Sequence, residues 1–295
     1  MRDTGELSEV WTLPGFDLDA FVAATLAEDM GGAPGAGGRD LTSESVIPAD
    51  AVFTGVMDSR DAATIAGLPI AAAFFRALDP AVEIDILAEE GENVKPGADL
   101  MRLTGNARAL LTAERSALNT VQHLTGIATM TRDYVKRIAG TGTTLLDTRK
   151  TIPGLRTLEK YASRMGGAQN HRMRLDDGVL IKDNHVAVCG GVAEAVRRAK
   201  VANSGLQVQV EVDRLDQIEP ALAAGADRLL LDNMDPAMLR DAVKLVAGRV
   251  PLEASGGVTR ETIRFLAETG VNFISVGRIT QSAPAVDIGL DYSLT

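Results

Sequence analysis

The residues best suited to chemistry in this 295-residue chain are cations gathered in one stretch. Asp147-Thr148-Arg149-Lys150 is followed by His171, Arg172, Arg174 and Lys182. On adjoining loops these would make one anion pocket. The forked guanidinium donors match carboxylates, and lysine acts as a mobile point charge on phosphate. The competing reading is a set of solvated surface charges paired with Glu159, Asp176 and Asp177. Farther along, Glu211 and Asp232 offer two carboxylates that suit a divalent metal, ribose hydroxyls or a developing cationic carbon, unless they simply pair with Arg214 or the basic cluster. Ser255-Gly256-Gly257 and Ser275-Val276-Gly277 are glycine loops of the kind that hold phosphate on backbone N–H groups. His171 reads as a hydrogen-bonding or acid-base group. The only other histidines are His123 and His185, and none has metal-ligand spacing. His185, three residues beyond Lys182, is read as fixing its own loop.

The elements that must position these residues follow from periodicity. After Gly142, short apolar runs alternate with helical stretches. They end at Asp147, Lys182, Glu211, Asp232, Ser255 and Ser275, the last four recurring about every 21 residues. Six strands with reactive groups at their C-terminal ends fit an incomplete (β/α) barrel, whose site lies on that rim. A doubly wound open sheet is the rival layout. Upstream the order is α+β: a helix through Leu18, Phe21, Val22 and Leu26, then an irregular glycine-rich loop over Gly31–Asp40. Strands over Val52–Met57 and Val82–Leu87 flank a helix opened by Pro69, and a turn follows at Glu90–Gly97. From Ala107 to about Ala139 the spacing predicts two helices with a break near Gly126. The resulting division is an N-terminal α/β sandwich over 1–120, a barrel over 121–285, and a segment over 286–295 that returns to the N-terminal domain.

Composition bounds the function. With 45% hydrophobic residues the chain can bury a large core. A net charge of -10 disfavours nucleic acid and anionic membranes, so anionic ligands must be captured locally. Cys189 is the single cysteine, which excludes an internal disulfide and fits a cytoplasmic setting. Met1–Glu6 has no export-signal character, and the apolar run Ile65–Phe75 falls far short of the ~20 residues a membrane helix needs.

Together the motifs resemble the quinolinate phosphoribosyltransferase family, the carboxylating nicotinate-nucleotide pyrophosphorylases. The matching segments are Ala113–Asn119, Leu124–Thr129, Asp147–Arg156, Asn170-His171-Arg172, Leu180–His185, Glu211-Val212, Leu231-Asp232-Asn233 and Glu253–Gly257. The resemblance implies a sandwich domain followed by a seven-stranded incomplete barrel. It also implies a homodimer, with hexameric assembly left open, whose active site is completed by Arg115 of the partner subunit. It assigns quinolinate's two carboxylates to Arg149, Arg172, Lys182 and that Arg115, with Thr148 and His171 beside them. Lys150 would meet phosphoribosyl pyrophosphate, Glu211 and Asp232 the ribose and Mg²⁺, and Ser255, Gly256, Gly257, Ser275, Val276 and Gly277 the 5′-phosphate. No organic cofactor is implied. Lys150, Lys182, Glu211 and Asp232 would carry the chemistry. Departures from the family pattern are the Gly31–Gly38 stretch, Arg278 and Gln281. The rival functions are another barrel enzyme acting on a phosphorylated substrate, such as an aldolase, and a non-catalytic relative of the molybdenum-transport-associated type.

Overall fold

A computed structural model describes residues 12–202 and 205–292. The residues read for an export signal, Met1–Glu6, lie outside them. The chain divides into two compact units, one ending at Ala128 and resuming at Pro284, the other running Thr129–Ala283. The boundary drawn after residue 120 falls inside a helix.

In the first unit, α1 (Leu18–Met30) starts where the Asp17 carboxylate accepts the Ala20 N–H at 2.9 Å and stops at Gly31, φ 72°. The following loop is not wholly irregular. Pro34 and Gly38 form a bridge, and the Arg39 N–H returns to the Met30 carbonyl at 3.1 Å. Then come α2 (Leu41–Val46), β1 (Val52–Ser59), β2 (Ala63–Thr64), α3 (Leu68–Leu78), β3 (Glu83–Ile86), β4 (Asn93–Val94), β5 (Ala98–Asn106) and α4 (Ala107–Arg137). The expected turn at Glu90–Gly97 includes β4, which pairs with β2. Its Glu90 caps α3, accepting the N–H groups of Gly67 (2.8 Å) and Leu68 (2.9 Å). The last strand of the chain, β12 (Ile288–Tyr292), joins this unit's antiparallel sheet in the order β12-β1-β5-β3.

The predicted break near Gly126 is wrong, because α4 is one helix of 31 residues. Glycine is there for a different reason. A Cβ on residue 126 would lie 2.1 Å from the Pro284 carbonyl oxygen, so its absence lets the returning chain lie against the helix. That contact is fastened where the Val286 N–H meets the Gln122 carbonyl (3.2 Å) and the Gln122 amide meets the Ile288 carbonyl (2.7 Å).

The second unit alternates strand and helix: β6 (Thr144–Leu146), α5 (Arg156–Met165), β7 (Val179–Ile181), α6 (Asp183–Cys189), α7 (Val192–Ala202), β8 (Val208–Val212), α8 (Ile218–Ala223), β9 (Arg228–Asp232), α9 (Pro236–Val246), β10 (Leu252–Ser255), α10 (Ile263–Ala267), β11 (Phe273–Ser275) and α11 (Arg278–Gln281). Its six-stranded parallel sheet has the order β6-β11-β10-β9-β8-β7. The first strand pairs with the last. An open doubly wound sheet cannot do that, whereas a barrel must. The seventh strand is reduced to one bridge, Leu146 with Gln169, which is why six rather than seven strands are visible in the sequence.

The strand period of two sorts the side chains. Val208, Val210, Val212, Leu229, Leu231, Ala254 and Ile274 join the apolar core shared with the helices. The opposite face carries Gln209 and Glu211, Leu230 and Asp232, Glu253 and Ser255, Phe273 and Ser275. The upper residue of each pair reaches the C-terminal rim.

Candidate active site

A cavity of about 720 Å³ opens at this rim, within the second unit. The loop after β6 supplies Thr148, Arg149 and Lys150, and the segment after Gln169 supplies His171 and Arg172. Lys182 follows β7, Glu211 lies on β8, and Asp232 ends β9. Ser255 with Gly256 and Gly257, and Ser275 with Val276 and Gly277, close the circuit. Every residue expected from the sequence lines this cavity except Arg115, which lies on α4 in the first unit.

Each cation keeps a free head. Among the described residues no carboxylate pairs with Arg149, Lys150, Arg172 or Lys182. The buried Nε atoms of Arg149 and Arg172 lack partners, although Arg172 Nη1 donates to the Gly178 carbonyl at 2.8 Å. The surface-charge reading holds only for Arg174, which pairs with Asp176 at 2.8 Å outside the cavity. Arg214 likewise pairs with Asp216 (2.9 Å), leaving Glu211 and Asp232 without an arginine. His185 Nδ1 accepts the Lys182 N–H at 2.9 Å, so it shapes the loop and does not line the cavity.

Comparison with known proteins agrees with this arrangement. The N-terminal domain model of quinolinate phosphoribosyl transferase matches residues 40–125, and the C-terminal domain model matches 127–291. The chain belongs to the quinolinate phosphoribosyl transferase family. It is 44% identical over 236 residues to a probable nicotinate-nucleotide pyrophosphorylase [carboxylating] of Synechocystis, covering 79% of this chain and 80% of the relative. With the enzyme of that name from Mycobacterium leprae it shares 42% over 262 residues, 86% and 91% of the two chains. The nicotinate-nucleotide pyrophosphorylase structure from Francisella tularensis superposes with a TM-score of 0.89 at 39% identity, covering 98% of this chain and all of that one.

Several residues that build the family's cavity here do not stand out in the sequence. Asp147 was grouped with the cations by adjacency, yet it is wholly buried. It pairs with the equally buried Lys160 and accepts from Ser163 Oγ (2.8 Å), Asn170 Nδ2 (2.5 Å) and the His171 N–H (2.8 Å). Lys160 Nζ also donates to the His171 carbonyl at 2.8 Å. Burial lowers the Lys160 pKa, while Asp147 opposes that shift. Asn233 was read only as part of a motif. It adopts φ 55°, donates to Asp232 at 2.5 Å, and presses on Gly256 so closely that a Cβ there would lie 2.1 Å from its Oδ1. Asp183, the third carboxylate at the rim, also escaped notice.

Burial, then the charges of Asp232 and Asp183, raise the Glu211 pKa. Burial, then Asp183, does the same to Asp232. The folded protein therefore retains a proton that the unfolded chain releases. Stability then falls as pH climbs from the ordinary carboxylate range, near ~4, through the raised value. Glu211→Gln should melt above wild type at pH 7 to 8, with the gain vanishing below about pH 4. Melting curves at the two pH values check this, and a variant less stable at neutral pH contradicts it.

Proposed function

We propose that this chain transfers the phosphoribosyl group of phosphoribosyl pyrophosphate to quinolinate with decarboxylation, giving nicotinate mononucleotide, pyrophosphate and CO₂. One observation carries the reading: four basic side chains without acidic partners share a cavity with two carboxylates of raised pKa and two glycine loops.

Arg149, Arg172 and Lys182 hold the two carboxylates of quinolinate, with Thr148 and His171 beside them. Ser255, Gly256, Gly257, Ser275, Val276 and Gly277 take the 5′-phosphate, and Lys150 takes the pyrophosphate. The pyridine nitrogen bonds to the anomeric carbon as the C–O bond to pyrophosphate breaks. Glu211 and Asp232 stabilise the positive charge that grows on the sugar. Holding both substrates together supplies much of the rate. The alkylated ring is cationic and accepts the electron pair left by the C2 carboxylate, so no organic cofactor is needed.

The donor set also fits Mg²⁺. Among the described residues no group of three or more His, Cys, Asp or Glu forms a metal cage. Glu211 and Asp232 nevertheless offer the one or two carboxylates with which Mg²⁺ is usually held alongside phosphates. The ion would offset charge on the leaving pyrophosphate.

The protein works as a cytoplasmic homodimer, with Arg115 reaching the partner's site. Among the described residues no helix is long and apolar enough to cross a membrane. Mixing inactive Arg115→Ala with inactive Lys182→Ala subunits should restore part of the activity, because one site in each hybrid keeps both residues. Proven subunit exchange without recovery contradicts the shared site. For the reaction itself, pyrophosphate and nicotinate mononucleotide should appear one to one when both substrates are supplied. No product from either mixture would leave the binding-only alternative.

A further inference from the structure

His171 lines the cavity, but its ring is anchored from beneath by groups outside the roles assigned so far. Its Nδ1 accepts the Arg172 N–H at 2.8 Å. In the neutral ring the proton is therefore on Nε2. That atom meets Gln209 Oε1 at 3.2 Å and faces Glu253 Oε2 at 3.5 Å. Gln209 donates in turn to Glu253 Oε2 at 2.8 Å. Glu253 is fully buried, one strand period below Ser255, and its only close cation is Arg228, 3.0 Å away and seated 3.8 Å over the Phe273 ring. Burial pushes its carboxyl up, but the contacts with His171, Arg228 and Gln209 outweigh that and hold it below its ordinary value.

A buried carboxylate is costly unless it is paired, so this one constrains the groups that pair with it. The chain of contacts runs from Glu253 through the imidazole to the backbone N–H of Arg172. The main chain at 171–172 is meanwhile gripped on its other side by Asp147 and Lys160. The base of the arginine clamp is thus clasped between two buried charge pairs.

We infer that Glu253 is a positioning residue for the carboxylate clamp: with Gln209 it fixes the Nε2–H tautomer and the orientation of His171, and through His171 it sets Arg172 against the substrate. The inference rests on the proposed reaction for its substrate. The geometry of the ring stands independently of it. Ligand-orienting groups one layer below a site commonly act in this way.

The test uses Glu253→Gln, which keeps the volume, and the double variant Arg228→Met/Glu253→Met, which removes both charges and leaves neither unpaired. Both should raise KM for quinolinate about tenfold, the size of one charge-assisted hydrogen bond misplaced, while KM for phosphoribosyl pyrophosphate moves less than about twofold. The double variant should melt no lower than wild type. In ¹⁵N spectra of the unliganded protein, the His171 ring, assigned by comparison with His171→Asn among three histidines, should show the Nε2–H tautomer in wild type. Both variants should lose that signature. An unchanged quinolinate KM, equal rises in both KM values, or a ring signal indifferent to residue 253 would overturn the inference. Wild-type protein that turns over no quinolinate would sink the proposed reaction instead, and the ring signal would still decide the positioning.

Discussion

Arg149→Ala is expected to lower kcat/KM for quinolinate about 30- to 3000-fold while leaving the protein folded. Truncating one partner of a desolvated charged pair costs about 2–5 kcal/mol, and here the partner is a substrate carboxylate. Arg149 has the geometry for that loss. Its Nε is buried without a partner, and no protein carboxylate competes for its head. Stability should hold for the complementary reason. The Arg172 pKa is lowered by burial and then by the Arg149 charge, so removing Arg149 relieves a repulsion. Steady-state kinetics beside a thermal melt check both halves. Near-normal turnover would remove Arg149 from the clamp, and a large fall in melting temperature would make its role structural.

Lys160→Met should do the reverse and strike stability first. Removing one member of a buried pair leaves an uncompensated buried charge, at a cost of about 3–5 kcal/mol. For a unit of this size that is roughly 10 °C in melting temperature. The loss would spread beyond the pair, because Asp147 also accepts from Ser163, Asn170 and the His171 backbone, and Lys160 donates to the carbonyl of His171. The double variant Asp147→Asn/Lys160→Met should regain part of the stability, since no bare charge remains. Denaturant midpoints of the two variants decide it. A Lys160→Met protein as stable as wild type would mean that Asp147 is not held as described.

Why these two residues differ so much in legibility is physical. Arg149 sits at the end of a strand whose period and terminus are written locally, so its exposure to the rim follows from the pattern that identifies the strand. The same logic exposes Lys182, Glu211, Asp232, Ser255 and Ser275. Lys160 lies mid-helix among charged residues and reads as solvated. Its burial depends on Asp147, 13 residues earlier, turning inward at the end of β6. Glu253 is hidden for a similar reason: within β10 it looks like an interruption, and its partners His171, Gln209 and Arg228 come from other segments of the chain. Gly126 misleads in the other direction. Local propensity reads glycine as a helix break, whereas Pro284, far along the chain, is what requires it. The seventh strand, one bridge at Gln169, has no periodicity to read.

The central claim is that the cations of one rim serve a dicarboxylate whose loss of CO₂ follows transfer of a phosphoribosyl group. The most direct measurement is CO₂ release from quinolinate carboxyl-labelled at C2, with and without phosphoribosyl pyrophosphate, using nicotinate as the control acceptor. Labelled CO₂ should appear only when both substrates are present, in step with pyrophosphate, and nicotinate should support little or no pyrophosphate formation. Release of CO₂ without phosphoribosyl pyrophosphate, or pyrophosphate formed equally well with nicotinate, would contradict the claim.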